Sequence, residues 1–224
     1  RKKERLSQLC EAIKRVFAST YFQDPKTLMD NIVQKHEDEK MAIIIMEMVG
    51  KKHNDIFYPS ISGVAQSFNY YPVSHMKRNQ GVAFIALGLG RTIADGERCL
   101  RFSPKHPTIL PQFYSIESTI ENSQNYFYAL ELKNGKNPMA EGLSGNLRQF
   151  DLSIAEGHGE LEWIASTVSL ENNVIRDSLS YKGPRVLTFS PLLKWSKLPI
   201  CDILNELLKI GRSALGCAVE FEFA

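Results

Sequence analysis

Val219, Glu220, Phe221, Glu222 and Phe223 alternate apolar and acidic residues one by one. In an extended chain, residues two apart share a face, so this pattern sets two carboxylates on one side of a strand, about 7 Å apart. Hard oxygen ligands at that spacing suit Mg2+, which is commonly held by one or two carboxylates while substrate phosphates and water fill the rest of its shell. An amphipathic strand with a solvated acidic face produces the same pattern without any ligand.

A second candidate is the triplet Gly88, Leu89, Gly90, which follows an apolar run. Glycines after a strand let backbone amides approach a ligand closely. The lysine and hydroxyl of a Walker loop and the full dinucleotide spacing are absent, so an ordinary tight turn is the plainer reading. His53, His75, His106 and His158 all fall in expected loops, with no two at ligand spacing. Cys10, Cys99, Cys201 and Cys217 are far apart and form no CxxC pair. They read as reduced packing residues of a cytoplasmic protein, belonging neither to a zinc cage nor to a disulfide scaffold. No serine sits in a nucleophile-elbow sequence and no cysteine neighbours a histidine, so nothing local supports hydrolase chemistry. Tyr70, Tyr71, Tyr126, Phe127 and Tyr128 carry faces on which bases can stack, although packing explains them as well.

These residues need elements to hold them. Leu6, Leu9, Cys10, Ile13, Val16 and Phe17 recur at three- and four-residue intervals, predicting an amphipathic helix that ends near Thr20. Asp24 followed by Pro25 is a start signal for a second helix, and 36–40 reads as a solvated connector. The apolar, β-branched run 41–49 predicts a buried strand; 57–68 predicts a strand or hairpin arm, and 82–87 another buried strand. Residues 91–96 suggest one helical turn. The stretch 103–145 is expected to be loop-rich, with one clear strand at 126–132. A short helix at 153–157, a hairpin over 161–168 and 173–175, and a strand at 186–189 follow. Ile200, Ile203, Leu204, Leu207, Leu208 and Ile210 predict a helix over 200–215, before a final strand from 218. Strands and helices in mixed order, without regular βαβ alternation, favour an α+β fold with a mixed or antiparallel sheet and flanking helices.

Composition sets outer limits. The chain has 224 residues, of which 43% are hydrophobic and 23% charged, the balance of an ordinary globular domain. Formal net charge is only +2 and the basic residues are scattered, which argues against nucleic-acid binding through bulk charge. Apolar runs are too short to cross a bilayer, so no membrane span is predicted. The absence of an initiator methionine and of an apolar signal segment, with an end inside an expected strand, reads as a piece of something longer.

In order along the chain stand Met46-Glu47-Met48-Val49-Gly50, Ser62-Gly63-Val64, Gly88-Leu89-Gly90 with Gly96, and Glu220-Phe221-Glu222-Phe223-Ala224. In that order and spacing the chain resembles the nucleotide-binding domain of the phosphoenolpyruvate synthase and pyruvate phosphate dikinase family, an ATP-grasp fold. The segment 9–19 also looks like the helix that precedes that family's adenine-binding strand. The resemblance spans nearly all of 1–224, as a helical lead-in over 1–40 and an α+β lobe over 41–224, with few landmarks between 103 and 199.

The resemblance implies that ATP and Mg2+ are the ligands. It implies that Glu47 and Met48 line the adenine pocket through backbone groups, that Gly88 and Gly90 help to bind the cofactor, and that Glu220 and Glu222 are the metal ligands. It implies no nucleophile in this chain: ATP would phosphorylate a mobile histidine domain of the parent protein, which passes the group on towards pyruvate. Two departures stand out. Met46 occupies the family's glutamine position, and Gln66-Ser67-Phe68-Asn69-Tyr70 follows where the family has Phe-Thr-Arg-Asp-Pro. They motivate an alternative, a degenerate relative that acts as a binding or regulatory module without catalysis.

Overall fold

A computed structural model describes residues 2–19, 42–74, 76–132 and 145–224. They belong to two units, one containing 2–19 and 42–48, the other 49–74, 76–132 and 145–224. In the first unit α1 (Lys2–Ser19) forms where the apolar spacing predicts it. Its last turn is closed by Ser19 Oγ, which donates to the Val16 carbonyl at 2.7 Å. Residues 42–49 differ from expectation. They form no strand, and Ile44 and Met46 are 83% and 78% exposed. Composition favours a strand there, but a buried strand also needs a ladder partner and cover on its faces. Among the described residues it has neither. The expected second helix and the connector at 36–40 lie outside the described residues.

The second unit is built on three antiparallel sheets. β1 (Lys51–His53), β2 (Ile56–Tyr58), β6 (Tyr126–Glu131) and β7 (Leu147–Asp151) form one, in the order β1-β2-β6-β7. β3 (Ser62–Gln66), β4 (Val82–Ala86), β5 (Leu100–Phe102) and β11 (Glu220–Phe223) form the second, in the order β11-β3-β4-β5. β8 (Ala165–Ser169), β9 (Val174–Arg176) and β10 (Arg185–Leu187) form the third, with β8 in the middle. Helices α2 (Arg91–Ala94), α3 (Ile116–Asn122), α4 (Leu152–Gly157), α5 (Ser190–Leu193) and α6 (Ile200–Leu215) flank them. The architecture is therefore α+β.

One core joins the sheets, with Tyr58, Phe102, Phe127, Phe189, Ile85 and Leu187 all fully buried. α6 covers part of it through Ile200, Leu204 and Leu208. It stops at Gly216, whose φ of +67° is the left-handed conformation that ends helices. The middle stretch holds more structure than its prolines suggest. Ser115 Oγ accepts from Ser118 N at 3.1 Å and Ser118 Oγ accepts from Ser115 N at 2.9 Å, a reciprocal cap that starts α3. Gln124 Oε1 accepts from Leu87 N at 2.8 Å, while its Nε2 donates to Leu87 O at 3.0 Å and Tyr126 O at 2.9 Å. One side chain thereby ties the end of β4 to the start of β6. No helix among the described residues is long and apolar enough to cross a membrane.

Candidate functional site

Alternation at 219–223 has the expected structural outcome. Phe221 and Phe223 are half-buried against the core, and Glu220 and Glu222 are exposed on the opposite face. Two features fix that orientation. Gly211 of α6 leaves room for the Phe221 ring: a Cβ there would lie 2.7 Å from Phe221 Cζ. The start of β11 is clamped to the end of β3, with Ser67 N donating to Val219 O and Val219 N donating to Ser67 Oγ, both at 2.9 Å.

Across the ladder Glu220 pairs with Gln66 and Glu222 with Val64. Directly opposed residues on antiparallel strands project to the same face. Gln66 Nε2 accordingly donates to Glu220 Oε2 at 2.5 Å, which fixes one carboxylate while leaving its other oxygen available. Val64 continues to Phe84 on β4, and Phe84 to Arg101 on β5. The carboxylates thus stand at one side of a half-open sheet face whose far side carries an arginine. Two exposed carboxylates, one held by an amide, are a donor set that fits Mg2+. No cluster of three or more His, Cys, Asp or Glu residues among the described residues is arranged to hold a metal unaided, and Mg2+ does not require one, because phosphates and water complete its shell.

The Gly88-Leu89-Gly90 loop leaves the end of β4 nearer Glu222. Gly88 has φ +84°, and a Cβ there would lie 2.6 Å from the Tyr128 carbonyl. Its amide donates to Pro59 O at 3.3 Å and that of Leu89 to Tyr128 O at 2.9 Å. Both amides are committed to neighbouring backbone. Around Gly90 there is open space, and its carbonyl accepts from Ile93 N at 3.0 Å and Ala94 N at 3.1 Å, starting α2. Glu47 and Met48 belong to the first unit, where both are exposed.

Sequence reasoning missed a polar cluster on the β1-β2 side. Glu160, 8% exposed, accepts from Lys51 Nζ at 3.0 Å and from the Ser60 hydroxyl, and lies 3.3 Å from His53 Nε2. His53 and His158 stack with ring centroids 4.5 Å apart and planes 7° apart, and the Tyr58 hydroxyl shares a 2.8 Å hydrogen bond with His158 Nδ1. Burial, and then the neighbouring His53, hold His158 below the usual histidine value despite Glu160 nearby. Burial pushes Glu160 up, but hydrogen bonds from Ser60 and Lys51 and the charges of Lys51 and His53 outweigh it and leave its pKa lowered. The loop reading fails for His53, which lies on β1 and meets a residue over a hundred positions away, whereas His158 does lie in the turn after α4. No local spacing encodes that contact. His75 lies outside the described residues.

The cysteines behave as expected in one respect: all four are free. Burial pushes the Cys99 thiol up to about 11, so it is protonated at neutral pH. An open groove of about 820 Å3 beside α6, lined by Ser67, Gly81, Lys105, Asn205, Lys209 and Arg212, does not include the carboxylates.

A family model described as "Pyruvate phosphate dikinase, AMP/ATP-binding domain" matches residues 3–224. No curated protein and no solved structure gives a significant match.

Proposed function

Because the chain belongs to the AMP/ATP-binding domain family of pyruvate phosphate dikinase, we propose that its second unit binds the polyphosphate of ATP through Mg2+ held by Glu220 and Glu222. The observation that carries this reading is the pair of carboxylates on one open face of β11, with Glu220 fixed by Gln66. When bound, MgATP supplies the phosphoryl group, and the metal neutralises its developing charge.

The chain's own residues hold and orient. Glu220 and Glu222 supply hard oxygen ligands, Gln66 keeps Glu220 in one rotamer, and Phe221 and Phe223 anchor the strand from beneath. Positioning and charge stabilisation supply most of phosphoryl-transfer catalysis, so a domain that holds and orients the nucleotide fits this role without supplying a nucleophile. In the reading, the acceptor is a histidine of a separate phosphohistidine domain, which hands the group on to a pyruvate-binding domain. The adenine contacts given to Glu47 and Met48, and the cofactor role of Gly88 and Gly90, follow from the resemblance. Leu89 and Gly88 spend their amides on Tyr128 and Pro59, so a ligand contact at that loop would use Gly90.

The alternative, a relative that binds a partner without catalysis, draws on Met46 and on Gln66-Ser67-Phe68-Asn69-Tyr70. Calorimetry with ATP, with and without Mg2+, separates the two in the full-length protein. Micromolar, metal-dependent binding is the expected result, and no heat at millimolar nucleotide would favour the alternative.

A further inference from the structure

Arg101 lies on the same sheet face as the carboxylates. The pairings Glu222 to Val64, Val64 to Phe84 and Phe84 to Arg101 form one cross-strand row, placing it three strands from Glu222. Three inter-strand spacings separate the two backbones by about 14 Å. The guanidinium stays beside the next side chain of the row: its carbon sits 5.8 Å from the Phe84 ring centroid.

Its hydrogen bonds are one-sided. Nη2 donates to Asn69 Oδ1 at 2.9 Å and to the Tyr71 carbonyl, which fixes the plane of the group. Nε is buried and has no partner among the described residues. Of the five N–H donors an arginine carries, those on Nε and Nη1 meet no acceptor among the described residues. Among the described residues no carboxylate pairs with it. Burial lowers its pKa from the ordinary arginine value, the sign of a cation losing water without gaining a counter-charge. A desolvated cation without a counter-charge is costly, and an anion that reaches the guanidinium from outside offsets part of that cost.

We infer that Arg101 is a binding residue for the phosphate chain of the ligand, supplying from β5 the positive charge that the segment 66–70 does not contain. This rests on the reading of the carboxylate face proposed above. The carboxylates at one side of the face would hold the metal, and the guanidinium at the other, whose fixed planar fork suits phosphate oxygens, would take phosphate charge. Asn69 and Tyr71 act through Arg101 as positioning residues.

The test uses the full-length protein, with inorganic tripolyphosphate, adenosine and MgATP as probes in calorimetry. Arg101→Met should weaken tripolyphosphate and MgATP about ten- to a hundred-fold and leave adenosine unchanged. Arg101→Lys should recover part of the loss, since a point charge replaces a fork. Asn69→Leu, which frees the loop but keeps the cation, should lose no more than a few-fold. Wild-type-like tripolyphosphate binding by a folded Arg101→Met protein would overturn the inference, as would an equal loss in Asn69→Leu or a wild type that ignores both anions. Arg101-dependent tripolyphosphate binding without MgATP binding would keep the inference as an anion site and remove the nucleotide reading instead.

Discussion

Gln66 and Glu220 stand directly opposite each other on the β3-β11 ladder, and Gln66 Nε2 donates to Glu220 Oε2 at 2.5 Å. The bond joins the first residue after Ala65 to one of the two carboxylates proposed to hold the metal. Gln66 opens the segment Gln66-Ser67-Phe68-Asn69-Tyr70, and its amide holds a proposed metal ligand.

Replacing Gln66 by Leu should therefore leave the fold intact and weaken the Mg2+ dependence of ATP binding. Because the pair is exposed, the loss should be about three- to ten-fold, below that of a buried second-layer partner. Titrating Mg2+ at fixed ATP measures it. An unchanged Mg2+ midpoint would show that Glu220 needs no orienting partner.

The carboxylates depend equally on what lies beneath β11. A Cβ on Gly63 would lie 2.1 Å from Phe223 Cζ and 2.5 Å from the Phe84 carbonyl. The backbone atom cannot move without breaking the β3-β4 ladder, so Gly63→Ala must displace Phe223 and loosen β11. A cost of about 1–3 kcal/mol in denaturant unfolding is expected, with a parallel loss of Mg2+ affinity. Full stability in this variant would mean that Phe223 is not packed over Gly63.

Acidification should act through the His53-His158 stack before it reaches the carboxylates. His158 has a folded pKa below its ordinary value of 6.5, so the neutral ring stabilises the fold. That contribution is present above 6.5 and is lost as pH falls through the lower, folded value. Glu160 has the same sign, its contribution being lost only on falling below its ordinary 4.5. Thermal melts of His158→Gln against wild type should converge as pH drops below the ordinary 6.5 and through the lower, folded value. Parallel curves throughout would exclude the stack as the cause.

The sequence exposed what is periodic and hid what is not. α1, α6 and β11 were readable because their apolar residues recur at fixed intervals, and the Glu220-Glu222 face follows from alternation alone. Residues 42–49 misled because an apolar, β-branched run has strand composition whether or not another strand pairs with it. α3 escaped notice because its signal is a Ser115-Ser118 cap rather than an apolar stripe. Arg101 and the contact between His53 and His158 depend on strand register and long-range closure, and no local window contains either.

The central claim is that Glu220 and Glu222 hold the metal of a nucleotide complex. Mn2+ in place of Mg2+ makes this visible: electron paramagnetic resonance counts free Mn2+ as the full-length protein is titrated in the presence of ATP. The wild type should sequester one Mn2+ per chain more tightly than ATP does alone. The Glu220→Gln, Glu222→Gln variant should retain its fold by circular dichroism and lose that extra binding about a hundred-fold or more. Undiminished Mn2+ uptake by the folded double variant would contradict the account.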